Sequence, residues 1–192
     1  MIRNLFRRDD GRRRVIEALH VRINAAARQP GLYLDLGVPD SVEGRFETLC
    51  LHVILMLRRL RQLPAPAEEV AQDLVDSVFA QLDSSLRELG VGDLGVAKRM
   101  KKLAQAFYGR AGAYDAALDA GDRPALAGAL ARNVLGRDDP DAGAPLAAYV
   151  AAAAEALGRQ DLDALLGAGP VLPDPAAFAS TQPSGNPGRP PA

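Results

Sequence analysis

Side chains suited to nucleophilic or acid–base chemistry are scarce in this sequence: His20, His52 and Cys50 are the only histidines and the only cysteine in 192 residues. Cys50 and His52 sit two positions apart in a stretch with helical apolar spacing. Their side chains therefore point about 200° apart around the axis. A thiolate–imidazole dyad needs both groups on one side, and this spacing denies it. The three residues also lack the ligand spacing of a zinc site. Cys50 reads as a core thiol and His52 as a packed or partner-facing imidazole. The carboxylates gather at predicted helix starts, where capping and the helix dipole account for them. The run Gly90-Val91-Gly92-Asp93-Leu94-Gly95 resembles a phosphate-cradling loop only loosely. It follows a helix instead of a strand, and Asp93 would repel a phosphate. Its glycines suit a sharp helix–helix corner. The reading from chemistry is a non-enzyme with no metal and no cofactor.

The most one-sided feature is a basic helical face. On a wheel of 3.6 residues per turn, Lys98, Lys101, Lys102 and Gln105 cluster with Arg99 at their edge, opposite Val96, Met100, Leu103 and Phe107. No acidic residue lies between Asp93 and Asp115, so these charges have no i±4 partner. Arg110 extends the series, and Tyr108 is the aromatic placed to be exposed. Basic groups also accumulate around this face in sequence. Residues 1–110 carry 18 Lys/Arg against 14 Asp/Glu, a net of +4, while residues 111–192 carry 5 against 10, a net of −5. RNA, a ribosome surface or an anionic lipid surface would each suit such a pattern. Sparse aromatic interleaving argues against sequence-specific base stacking, and a DNA-binding role is not expected.

The elements that must position this face are helices. Apolar residues make up 48% of the chain, aromatics 5%, and Trp is absent, so the core is built from Leu, Val and Ala. Helical spacing predicts segments over residues 12–28, 40–61, 65–89 and 93–108, a short one closed by Gly121, then one capped by Asp122, and others over 146–157 and 160–166. Asp40 is the expected cap of the second, with Glu43 completing a capping box. Gly109 and Gly112 are expected to loosen the chain after the basic helix, and residues 32–36 to form an extended or irregular linker. The fold class is all-α: a single irregular bundle of about six to eight helices over residues 12–166. Residues 1–11 are expected to be a flexible basic lead-in. Residues 167–192 are expected to be a disordered tail, because seven of the fourteen prolines fall between Pro170 and Pro191. No apolar run approaches the ~20 residues that span a bilayer, and no secretory signal is visible. A cytoplasmic protein is expected.

Two long stretches, over residues 32–60 and 81–118, resemble the ubiquinol–cytochrome c chaperone family, assembly factors for respiratory complex III. The most specific pieces are Gly44-Arg45-Phe46-Glu47, Leu51-His52, the Gly90–Asp93 corner, Lys98-Arg99-Met100-Lys101-Lys102 and Phe107-Tyr108-Gly109-Arg110. The resemblance implies a helical, non-enzymatic chaperone that binds newly made cytochrome b or another complex III subunit. It also implies a place at the inner face of the cytoplasmic membrane. The candidate client- or surface-binding residues are then Lys98, Arg99, Lys101, Lys102, Tyr108 and Arg110, joined by Arg45 and His52 from the other motifs. A basic helical module that binds RNA or the ribosome is the alternative.

Overall fold

The computed structural model describes residues 9–179. Eight α-helices occur among them, with no strand: α1 (Asp9–Ala26), α2 (Pro30–Leu34), α3 (Val42–Arg61), α4 (Ala67–Glu88), α5 (Asp93–Ala120), α6 (Arg123–Leu130), α7 (Ala144–Gly158) and α8 (Leu162–Gly167). The expected lead-in over 1–11 falls mostly outside the described residues, and α1 already begins at Asp9.

The bundle is organised around α3. Its middle, from Cys50 to Leu57, is buried on every side, and it packs against α1, α4, α5 and α7. Ser41, not Asp40, caps it, with Oγ accepting from the Gly44 N–H at 3.1 Å. Asp40 instead pairs with Arg45 at 2.6 Å. Glycine is required at position 44, where a Cβ would lie 2.0 Å from the Pro39 carbonyl oxygen. Arg58, Arg59 and Arg61 close the helix at its negative dipole end.

Residues 32–36 depart from the expected linker. Pro30 opens the single turn of α2, a position its fixed φ favours. Leu32 is fully buried beneath it, and Tyr33 donates to the Ala27 carbonyl at 2.7 Å. The basic helix also differs from expectation, since α5 runs unbroken for 28 residues through Gly109 and Gly112. Both glycines face solvent, where each costs about 1 kcal/mol of helix propensity. Phe107, Ala111, Tyr114 and Ala117 carry the buried side straight past them. Asp122 caps α6 as expected, accepting from the Ala125 N–H at 2.9 Å. A π-helical turn (Ala131–Leu135) then ends at left-handed Gly136.

The expected disorder from residue 167 is corrected for 168–179. Gln160 pairs with the Val171 backbone twice, at 2.8 and 2.9 Å. The 3-10 turn Pro175–Phe178 packs on α2 and α7, Pro175 is buried, and Phe178 meets Tyr149 edge-on at 5.8 Å. Position 31 is glycine because a Cβ there would come 2.7 Å from the Ala176 nitrogen. Residues 180–192 lie outside the described residues.

Candidate functional site

Helix α5 separates the candidate residues by their angle around its axis. Val96 and Phe107 are buried, with Phe107 edge-on to Phe79 of α4 at 5.8 Å. That contact turns the opposite side outward. Lys98, Arg99, Lys101 and Lys102 are all exposed, and none makes an ion pair among the described residues. Tyr108 lies on the same outward side, 58% exposed. At the start of the strip stands the α4–α5 corner. Gly90 turns it with φ of 79°, and Arg87 bridges it, bonding Asp83 at 2.6 Å and Asp93 at 2.5 Å. Asp93 is thus the first helical residue and a bridge partner. Gly92 occupies the cap position without a side-chain bond. Leu89 and Leu94, 78% and 90% exposed, project from this corner.

The other candidates do not join the strip. Arg110 turns inward and bonds Glu47 of α3 at 2.6 Å, with side-chain exposures of only 18% and 13%. Burial pushes the Glu47 carboxyl above the usual range, more than Arg110 pulls it down. The two motifs Gly44–Glu47 and Phe107–Arg110 therefore meet in an internal ion pair. Arg45 is at the surface but is held by Asp40.

His52 is 3% exposed, which removes it from any surface role. Its Nδ1–H donates to the Thr48 carbonyl at 2.7 Å, and its Nε2 accepts from the Tyr149 hydroxyl at 2.7 Å. Burial lowers its pKa to about 4 and raises that of Tyr149. With Thr48 Oγ1 lying 3.0 Å from the Tyr33 hydroxyl, the result is a polar thread from α2 through α3 to α7. Sequence reasoning missed both the thread and the Glu47–Arg110 pair. The available signal was a polar residue on the buried stripe of each helix.

Nothing in this interior has the form of a reactive centre. Burial, with the Glu47 charge adding, raises the Cys50 thiol to about 12, which leaves no thiolate near neutral pH. No group of three or more His, Cys, Asp or Glu side chains converges on a metal position among the described residues. A cleft of about 300 Å³ opens beside Arg58, Arg59 and Arg123 over Leu55, Leu118 and Leu126. Its arginines are partly engaged: Arg58 bonds Asp115 and Asp119, and Arg59 donates to the Gln160 carbonyl at 2.9 Å.

This all-α body matches the family model described as Ubiquinol-cytochrome C chaperone over residues 34–172. The chain belongs to the ubiquinol-cytochrome C chaperone family. A crystal structure of the Cbp3 homolog from Brucella abortus shares its fold, with a TM-score of 0.78 at 42% sequence identity, covering 91% of this chain and 98% of that one. No curated protein matches the chain. Family membership makes the molecule a chaperone of complex III assembly. In this ubiquinol-cytochrome C chaperone no described helix is long and apolar enough to cross a membrane.

Proposed function

We propose that this chaperone binds newly made cytochrome b and holds it for complex III assembly at the inner face of the cytoplasmic membrane, making contact through the outward side of α5. The observation that carries this reading is the strip Lys98, Arg99, Lys101 and Lys102. Four exposed cations without ion-pair partners among the described residues stand on a helix whose other face buries Val96 and Phe107 and half-buries Met100 and Leu103. Surface charges on a monomer are commonly interspersed with charges of opposite sign. A single-sign strip instead favours encounter with an anionic partner. Tyr108 adds an exposed ring at the far end, suited to an interface. The client is an apolar membrane protein, so its temporary holder is best placed against the bilayer from which the client cannot stray.

The test is a strain lacking the chain, complemented with either the wild type or the Lys98→Glu/Lys101→Glu/Lys102→Glu variant. Without the chain, membrane haem spectra are expected to lose most of the cytochrome b signal. Wild type restores it. The triple variant, whose changes are all exposed, is expected to fold normally yet to restore less than one tenth and to lose co-purification with cytochrome b. Normal complex III levels in the deletion strain would overturn the function. Full rescue by the triple variant would overturn the placement on α5.

A further inference from the structure

We infer that the α4–α5 corner is a membrane-docking tip: Leu89 and Leu94 enter the acyl boundary of an anionic bilayer while Lys98, Lys101 and Lys102 meet its phosphates. This rests on the reading that the chain works at a membrane, and it names the element that touches lipid. Two large apolar side chains, 78% and 90% exposed, project together from the end of one helical hairpin; what sets them apart from other exposed aliphatics such as Leu34 and Val42 is the run of cations that follows on the same helix. They are also positioned relative to the lysines. With about 100° and 1.5 Å per residue, Lys98 stands about 40° and 6 Å from Leu94. Lys101 and Lys102 stand about 10–12 Å back on the same side. That offset matches an interfacial arrangement, in which apolar residues sink about 5–10 Å below the headgroups and lysine stems snorkel to the phosphates.

The local charge balance supports an anionic partner. Arg87 bonds both Asp83 and Asp93 within the corner and offsets one of their two charges, while Glu88 accepts from the Ser84 hydroxyl at 3.1 Å. The four cations beyond make no ion pair among the described residues and leave residues 83–102, with five basic groups against three acidic, at a net +2. An RNA partner would use the lysines, but its sugar–phosphate surface offers nothing to the two leucines. Tyr108 is the one exposed aromatic ring on the strip.

The chain contains no Trp, so Leu94→Trp places a single reporter at the tip. With phosphatidylglycerol-containing vesicles its emission is expected to shift to the blue and to be quenched by bromine on the acyl chains. Neutral phosphatidylcholine vesicles are expected to give neither response. In co-sedimentation, Leu89→Gln/Leu94→Gln is expected to weaken partitioning about tenfold or more. Lys98→Gln/Lys101→Gln/Lys102→Gln is expected to weaken it and flatten its salt dependence. Binding to anionic vesicles that is unchanged by the leucine pair, or a reporter that responds to polyuridylate but not to lipid, would overturn the proposal. Loss of cytochrome b in the deletion strain would stand whichever result is obtained, so failure of the tip and failure of the chaperone reading are separable.

Discussion

Arg110→Ala is expected to lower the unfolding free energy by about 3 kcal/mol or more, one of the largest effects of any single charge removal in this chain. The reason is geometric. Arg110 reaches back from α5 to Glu47 on α3, and both side chains are more than four-fifths buried. The pair makes one 2.6 Å hydrogen bond, while the second Glu47 oxygen and the Arg110 Nε have no partner among the described residues. Such a pair gains little over an apolar replacement, but breaking it leaves a carboxylate stranded in low dielectric. Burial already raises the Glu47 pKa in the intact protein, and losing its cation raises it further. A carboxyl with a raised folded-state pKa adds stability below its unfolded pKa and loses it as pH rises through the folded value. The Arg110→Ala deficit should therefore be greatest at pH 8 and shrink towards pH 5, as read from urea midpoints. Glu47→Leu/Arg110→Met should recover most of the loss. A deficit below about 0.5 kcal/mol, typical of exposed substitutions, would show Arg110 to be a surface residue after all.

That residue also marks how far the sequence could be read. Charge counted along the chain groups Arg110 with Lys98 to Lys102. Counted around the axis, Arg110 falls within about 40° of Leu103 and Tyr114, on the stripe that the bundle buries. The same angular reasoning, applied correctly, located the exposed lysines and the buried Val96 and Phe107. In α4 the four-residue spacing of Val70, Leu74 and Val78 likewise marks the side that is buried. Periodicity finds which side of a helix is covered, because burial of apolar area dominates packing. It is silent on contacts between distant segments. Gln160 holds the backbone of Val171, and Gly31 admits Ala176. Both interactions order a stretch whose Pro and Gly content alone suggests disorder. Leu172 and Phe178, both packed against the core, were the local hint that residues 168–179 belong to the folded body. The cap of α3 fell to Ser41 because Asp40 is drawn off by Arg45, a competition between neighbours that residue preferences rank as nearly equal. The family resemblance was legible for a complementary reason. Its motifs include residues held by interior geometry, Glu47 paired with Arg110 and His52 bonded to Tyr149 of α7.

The His52 thread carries the second large expectation, an acid sensitivity that begins well above the carboxylate range. In the folded protein the neutral ring satisfies both neighbours, donating from Nδ1 to Thr48 and accepting at Nε2 from Tyr149. Adding a proton at Nε2 turns the Tyr149 oxygen from donor to acceptor, takes this partner from the Tyr149 hydroxyl proton and places a charge where solvent does not reach. Burial accordingly lowers the pKa from 6.5 to about 4. A group with a depressed folded-state pKa contributes fully above its unfolded value, and that contribution is lost as pH falls through the folded one. Stability should thus fall by roughly 3 kcal/mol between pH 6.5 and 4, at about 1.4 kcal/mol per pKa unit. His20, also lowered by burial, acts in the same direction. His52→Gln separates the two, since it removes the titrating ring but keeps a polar side chain. The variant should be less stable than wild type at pH 8 by about 1–2 kcal/mol, and the gap should close or reverse by pH 4. The paired surface carboxylates Asp40 and Asp119 are lowered from 3.8 by their arginines, so their loss belongs to more acidic solutions. Parallel stability curves for wild type and His52→Gln between pH 6.5 and 4 would show that the ring gains its proton without leaving the fold. Water would then have to reach a position that α3 and α7 now close.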